Sequence, residues 1–185
     1  MPAVITRISR IALLSLLAFA STSCVVVSKS TLIDFRSAKS DYRLKGRWVG
    51  TDKLSDVYAQ FDGSSTLDTN IISGKDGGKP SERMFEYAGG TIGKYEYLSL
   101  RPQDEATGGY LLVRYVIEGD VMKVWLLDSY SIDSAVSQGK LKGEKSGGST
   151  TTLTDSPKKI AAFIAANEGS AELFELLGVF KKSSN

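Results

Sequence analysis

Residues 110–128, YLLVRYVIEGDVMKVWLLD, constrain the fold more than any other stretch, because apolar residues alternate on both sides of Gly119-Asp120. A two-residue connection with glycine first suits a type II′ turn, whose twist matches that of two antiparallel strands. That turn sets the register. Ile117 faces Met122, Tyr115 faces Val124 and Val113 faces Leu126 on one side. On the other side Val116 meets Lys123, Arg114 meets Trp125 and Leu112 meets Leu127. The first face is almost wholly apolar and is predicted to be the core face, since a slip of one residue would expose all of it. The second brings Arg114 over the Trp125 ring, a cation–π contact of about 0.5–1 kcal/mol at an exposed site.

From Tyr42 onward the chain repeats this grammar of short β-rich runs separated by turn residues. Strands are predicted at 44–51, 57–62, 66–73, 83–88, 94–101, 110–117, 121–128 and 149–154, with a last short one at 178–182. Asp62 to Ser65 reads as a tight turn and Gly74 to Pro80 as a long flexible one. Gly89-Gly90 and Gly108-Gly109 read as breaks, and Lys142 to Ser149 as a mobile surface loop. Helix enters late. Ser156 can cap a helix from Pro157, with Ile160, Phe163 and Ile164 on one face and Asn167 to Gly169 ending it. Ser170 can cap a second short helix with Leu173, Phe174 and Leu177 as its apolar side, closed by Gly178. The fold class is therefore mainly β, with an antiparallel sheet and a C-terminal helical segment; a β-sandwich or an α+β domain is the alternative.

Absent residue types narrow the chemistry. The 185-residue chain has no histidine and a single cysteine, Cys24. Ser-His-Asp and Cys-His catalysis, histidine haem ligation and His-containing zinc sites are excluded, as are an intrachain disulfide and a four-cysteine cluster. No cofactor and no metal site is expected. Asp68, Asn70 and the residues after them fail the calcium-loop spacing, since Ser73 stands at the glycine position. Gly89-Gly90-Thr91-Ile92-Gly93-Lys94 fails the phosphate-loop pattern: Ala88 stands at its first glycine and Tyr95 after its lysine, so it reads as a turn.

Residues 1–23 have the anatomy of an export signal: Arg7 and Arg10, an apolar run from Ile11 to Ala20, then small residues. The apolar run is far short of the roughly 20 residues that span a bilayer. Ser21-Thr22-Ser23-Cys24 resembles the lipobox of bacterial lipoproteins, with Ser21 where that family usually has leucine. The resemblance implies that Cys24 is acylated, palmitate being one such chain, and becomes the mature N-terminus. Cleavage after Ala20 is the competing reading. Each buried methylene contributes about 0.8 kcal/mol, so several chains anchor a protein essentially permanently. Val25, rather than aspartate, follows the cysteine; by the same resemblance this implies the periplasmic face of the outer membrane. Residues 24–41 read as lipidated cysteine and tether, and 42–185 as the β domain.

Loss of the leader removes two arginines and no acids, which leaves 21 basic and 21 acidic residues. A neutral exported domain has no electrostatic case for nucleic acid. Gly46-Arg47-Trp48, in the first long strand, resembles the Gly-x-Trp signature of lipocalins, in which the tryptophan plugs the closed end of an antiparallel barrel. Asp128-Ser129-Tyr130 loosely echoes the second signature of that family, and Lys181 or Lys182 stands in for its late arginine. The resemblance implies a lipocalin-like β-barrel with Trp48 as its plug. Val113, Tyr115 and Met122, on the best-defined inward face, are then the candidate ligand-binding residues. The expected function is non-enzymatic: a lipid-anchored envelope protein binding an apolar or amphipathic small molecule, or an envelope partner. An envelope hydrolase using Ser, Lys or carboxylate residues is the alternative.

Overall fold

The computed structural model describes residues 25–36, 38–62, 70–76, 79–103, 109–146 and 150–184. The predicted leader, Cys24 and the Asp68 region lie outside them. The strands are β1 (Val25–Ser28), β2 (Gly46–Gly50), β3 (Tyr58–Phe61), β4 (Asn70–Asp76), β5 (Lys79–Ile92) and β6 (Tyr95–Pro102). β7 (Tyr110–Glu118), β8 (Val121–Leu127), β9 (Gly143–Ser146), β10 (Thr150–Leu153) and β11 (Phe174–Lys182) follow, with helices α1 (Ser129–Ser137) and α2 (Pro157–Asn167).

The β7–β8 hairpin has the predicted register, with Val113 opposite Leu126, Arg114 opposite Trp125 and Ile117 opposite Met122. Gly119 takes φ 58° while Asp120 stays at negative φ, as a type II′ turn requires. The protein is mainly β, but the sheet is mixed: β1 and β10 run parallel. Antiparallel pairing passes from β2 through β3, β4, β5, β6, β7 and β8 to β11, and β11 pairs back onto β2. β1, β10 and β9 branch from β7, where Val27 and Ser28 pair with Leu111 and Tyr110.

Strand alternation sorts side chains into two cores. An inner cluster takes Trp48 from β2, Phe61 from β3, Tyr87 from β5, Leu98 from β6, Val113 and Tyr115 from β7, Met122 and Val124 from β8, and Phe180 from β11. The intervening residues Ala88, Tyr97, Leu112 and Leu127 belong to an outer cluster. There they pack under α1, α2 and β1 through Ile132, Ala135, Ile160, Ile164 and Val26. Asp128 caps α1 by accepting from the Ser131 amide at 2.8 Å, and Ser156 caps α2 through the Lys159 amide. No described helix is long and apolar enough to cross a membrane.

Five expectations change. Gly74 to Pro80 is not one long loop: Gly74, Lys75 and Asp76 in β4 pair with Ser81, Pro80 and Lys79 in β5. Residues 170–178 do not form a second helix: Phe174 begins β11, which fills the place between β8 and β2. Gly89-Gly90 does not break the chain; both lie inside the 14-residue β5, and a Cβ on Gly90 would sit 2.9 Å from Ile33. The glycine is there for close packing. The Lys142–Ser149 stretch contributes β9, paired with β10. Val25–Ser28, read as tether, are buried and hydrogen-bonded into the sheet. α1 was not foreseen.

Candidate functional site

One end of the inner cluster is built from the 3₁₀ turn Tyr42–Leu44 and the strand that follows it. Trp48 is fully buried, and its Nε1 donates to the Leu44 carbonyl at 2.7 Å. Lys182, from the end of β11, places its Nζ 5.3 Å from the Trp48 ring and donates to the Arg43 carbonyl at 3.1 Å. Arg43 in turn holds Asp41 at 2.7 Å and Glu96 at 2.5 Å. Tyr115 donates its hydroxyl to the same Asp41 carboxylate at 3.0 Å. Burial pushes the Tyr115 phenol up, and the adjacent Asp41 charge adds to the shift. Burial also works to raise Asp41, but hydrogen bonds from Arg43 and Tyr115 outweigh it and hold the carboxyl below its ordinary value.

Val113, Tyr115 and Met122 share the predicted inward face and sit with Trp48 in the inner cluster. They are 6%, 3% and 3% exposed, and the Phe61 and Tyr87 rings of the same cluster meet edge to face at 5.7 Å. All three are buried residues of that one cluster, beside the Phe61 and Tyr87 rings.

The outer face carries a different arrangement. Tyr97 on β6, Arg114 on β7, Trp125 on β8 and Leu176 on β11 are successive cross-strand partners, so they form one row across four strands. Leu176 keeps that place because the register shifts between Leu176 and Gly178, leaving Leu177 as an extra residue. The bulge turns β11 from the outer cluster at Phe174 to the inner one at Phe180. Exposure runs along the row: Tyr97 is fully buried, Arg114 and Trp125 are partly buried, and Leu176 is 50% exposed.

Around Arg114 the rings of Phe174, Trp125 and Tyr95 lie 4.1, 4.7 and 4.8 Å from the guanidinium carbon. The predicted Arg114–Trp125 contact is one of these three. Arg36, Arg43 and Arg101 each pair with a carboxylate, but Arg114 has no ion pair among the described residues. Its Nε and the Tyr97 hydroxyl are both buried without a hydrogen-bond partner among those residues. Leaving a buried polar group unpaired costs about 1–3 kcal/mol, and this row carries two such groups. Burial pushes the Tyr97 phenol up to about 12, against the opposing Arg114 charge, and the hydroxyl keeps its proton at neutral pH. Glu168, the acid that most affects Tyr97, accepts from the Lys94 amide at 2.9 Å and lies 3.9 Å from the Lys94 Nζ.

The hairpin pattern identified Arg114 and Trp125, and Tyr97 falls within the strand predicted at 94–101. Phe174 and Leu176 were hidden by the helical reading of 170–178. No known protein family, curated protein or solved structure matches the chain.

Proposed function

We propose that this chain is a lipid-anchored protein of the bacterial envelope that binds an amphipathic molecule on the outer face of a lipocalin-like barrel and catalyses no reaction. Its place is the periplasmic face of the outer membrane, held there by an acylated Cys24. The likeness to lipocalins is supported by the antiparallel circuit, by Trp48 buried at one end of the inner cluster, and by Lys182, the late basic residue, set over Trp48. The anchor is supported by the leader anatomy and by the position of the sole cysteine directly before β1. With Val25 already paired to Thr150, an acylated Cys24 leaves no slack and keeps the domain at the bilayer surface.

One observation carries the binding reading: the row from Tyr97 to Leu176 runs from buried, unpaired polar atoms to an exposed apolar side chain. That gradient matches a molecule with a polar head and an apolar body. A fluorescent fatty-acid analogue should bind the purified protein, and Leu176→Asp should weaken it strongly while Val113→Ala leaves it unchanged. Equal binding by Leu176→Asp and wild type would contradict the outer-face reading.

A second reading, with the guest inside the barrel, is favoured by Tyr115. Its hydroxyl, tied to Asp41, is a polar group fixed within an otherwise apolar lining of Val113, Met122 and their neighbours. It requires the opposite result, with Val113→Ala changing affinity and Leu176→Asp not.

A further inference from the structure

We propose that Arg114 and the Tyr97 hydroxyl together hold the carboxylate head of an amphipathic monoanion, whose apolar chain lies along Trp125 and Leu176. This rests on the outer-face reading above and names the chemistry that the site recognises.

Rings of Phe174, Trp125 and Tyr95 surround the Arg114 carbon at 4.1–4.8 Å. Contacts of this kind cover the faces of a planar cation and leave its donors to act at the edges. Planar edge donors match a carboxylate, which can accept two parallel N–H bonds. Arg114 Nε has no acceptor among the described residues, and neither has its neighbour across the strand, the Tyr97 hydroxyl, a proton donor at neutral pH. One cation and one neutral donor together suit a single negative charge.

Surrounding charges leave this balance intact. Glu168 and Lys94 pair with each other, so they add no net charge beside the row. The direction of the chain follows from the register. Beyond Arg114 the row continues through Trp125 to the half-exposed Leu176, with Leu177 also exposed at the bulge. Trp125 there is partly buried and the two leucines are exposed, which gives the chain an apolar surface to lie on.

The test follows the Arg114 Nε–H and the Trp125 indole N–H by nuclear magnetic resonance in the protein as the cell makes it, during titration with octanoate, octanol or inorganic phosphate. Octanoate should shift both signals to saturation, while octanol and phosphate at the same concentrations should leave the Arg114 signal in place. Tyr97→Phe, which removes only the hydroxyl, should weaken octanoate several-fold, and Arg114→Gln by about tenfold or more. Octanol shifting both signals as octanoate does would overturn the carboxylate. Phosphate saturating the Arg114 signal as well as octanoate does would overturn the amphipathic requirement. If octanoate moves Trp125 but not Arg114, or binds Tyr97→Phe as it binds wild type, the head-group assignment fails while the outer-face reading stands. If neither signal moves, both fail.

Discussion

Lys182 reaches from the last strand to lie over Trp48 in the first strand of the circuit, with its Nζ 5.3 Å from the ring and 3.1 Å from the Arg43 carbonyl. The chain thus ties its C-terminal strand to the 3₁₀ turn that precedes β2. Trp48→Ala should destabilise the protein by about 3–5 kcal/mol, the range for removing a buried aromatic. Lys182→Met should cost less, about 0.5–1 kcal/mol for the cation–π contact. Urea denaturation measures both, and a Trp48→Ala midpoint equal to wild type would show that the end of the inner cluster is not organised around the indole.

Asp41 supplies a pH signature. Burial acts to raise its carboxyl, and hydrogen bonds from Arg43 and Tyr115 more than offset this, so it titrates below the ordinary aspartate value. A group depressed in the folded state contributes stability above its unfolded value and loses it as pH falls through the lowered folded value. Arg43→Gln removes the main source of the depression. The stability difference between wild type and Arg43→Gln should therefore be full at about pH 6 and shrink below about pH 4. A difference that stays constant into strong acid would place the effect elsewhere.

Gly93 is held by backbone and by space at once. Its φ is +60°, and a Cβ there would come within 1.9 Å of the Glu168 carboxylate that accepts from the Lys94 amide. Gly93→Ala should cost the left-handed strain of about 1–2 kcal/mol and release Glu168 from the β5–β6 turn. Thermal melting reads the first effect, and faster hydrogen exchange at the Lys94 amide reads the second. Unchanged exchange would mean that the carboxylate does not bind the turn.

The anchor has its own test. Cys24→Ala should move the protein from the membrane pellet to the soluble envelope fraction and abolish acyl mass on the mature N-terminus. Identical fractionation of both forms, with no acyl mass on wild type, would contradict the lipoprotein reading.

What the sequence shows and hides has physical reasons. The β7–β8 hairpin was legible because Gly119 fixes the turn and unbroken alternation fixes the faces. β11 was not. Its bulge at Leu177 interrupts the period of two, and the apolar spacing of Leu173, Phe174 and Leu177 then imitates a helix. α1, with sequence SYSIDSAVS, is poor in strong helix formers, and its clearest signal is the capping Asp128. Its burial of Ile132 and Ala135 against the outer cluster holds the helix where propensity does not. The Arg114–Trp125 pair could be read from register, but the third ring belongs to Phe174, 49 residues beyond Trp125 in sequence, and required the fold.

The two tryptophans decide between the faces, because Trp48 lies in the inner cluster and Trp125 in the outer row. Bromine on an acyl chain quenches tryptophan at near contact, so a dibrominated fatty acid reports which side of the sheet it occupies. Titrated into Trp48→Phe and Trp125→Phe proteins, it should quench Trp125 to saturation and leave Trp48 emission unchanged. Saturable quenching of Trp48 with Trp125 untouched would put the guest within the inner cluster and contradict the outer-face site.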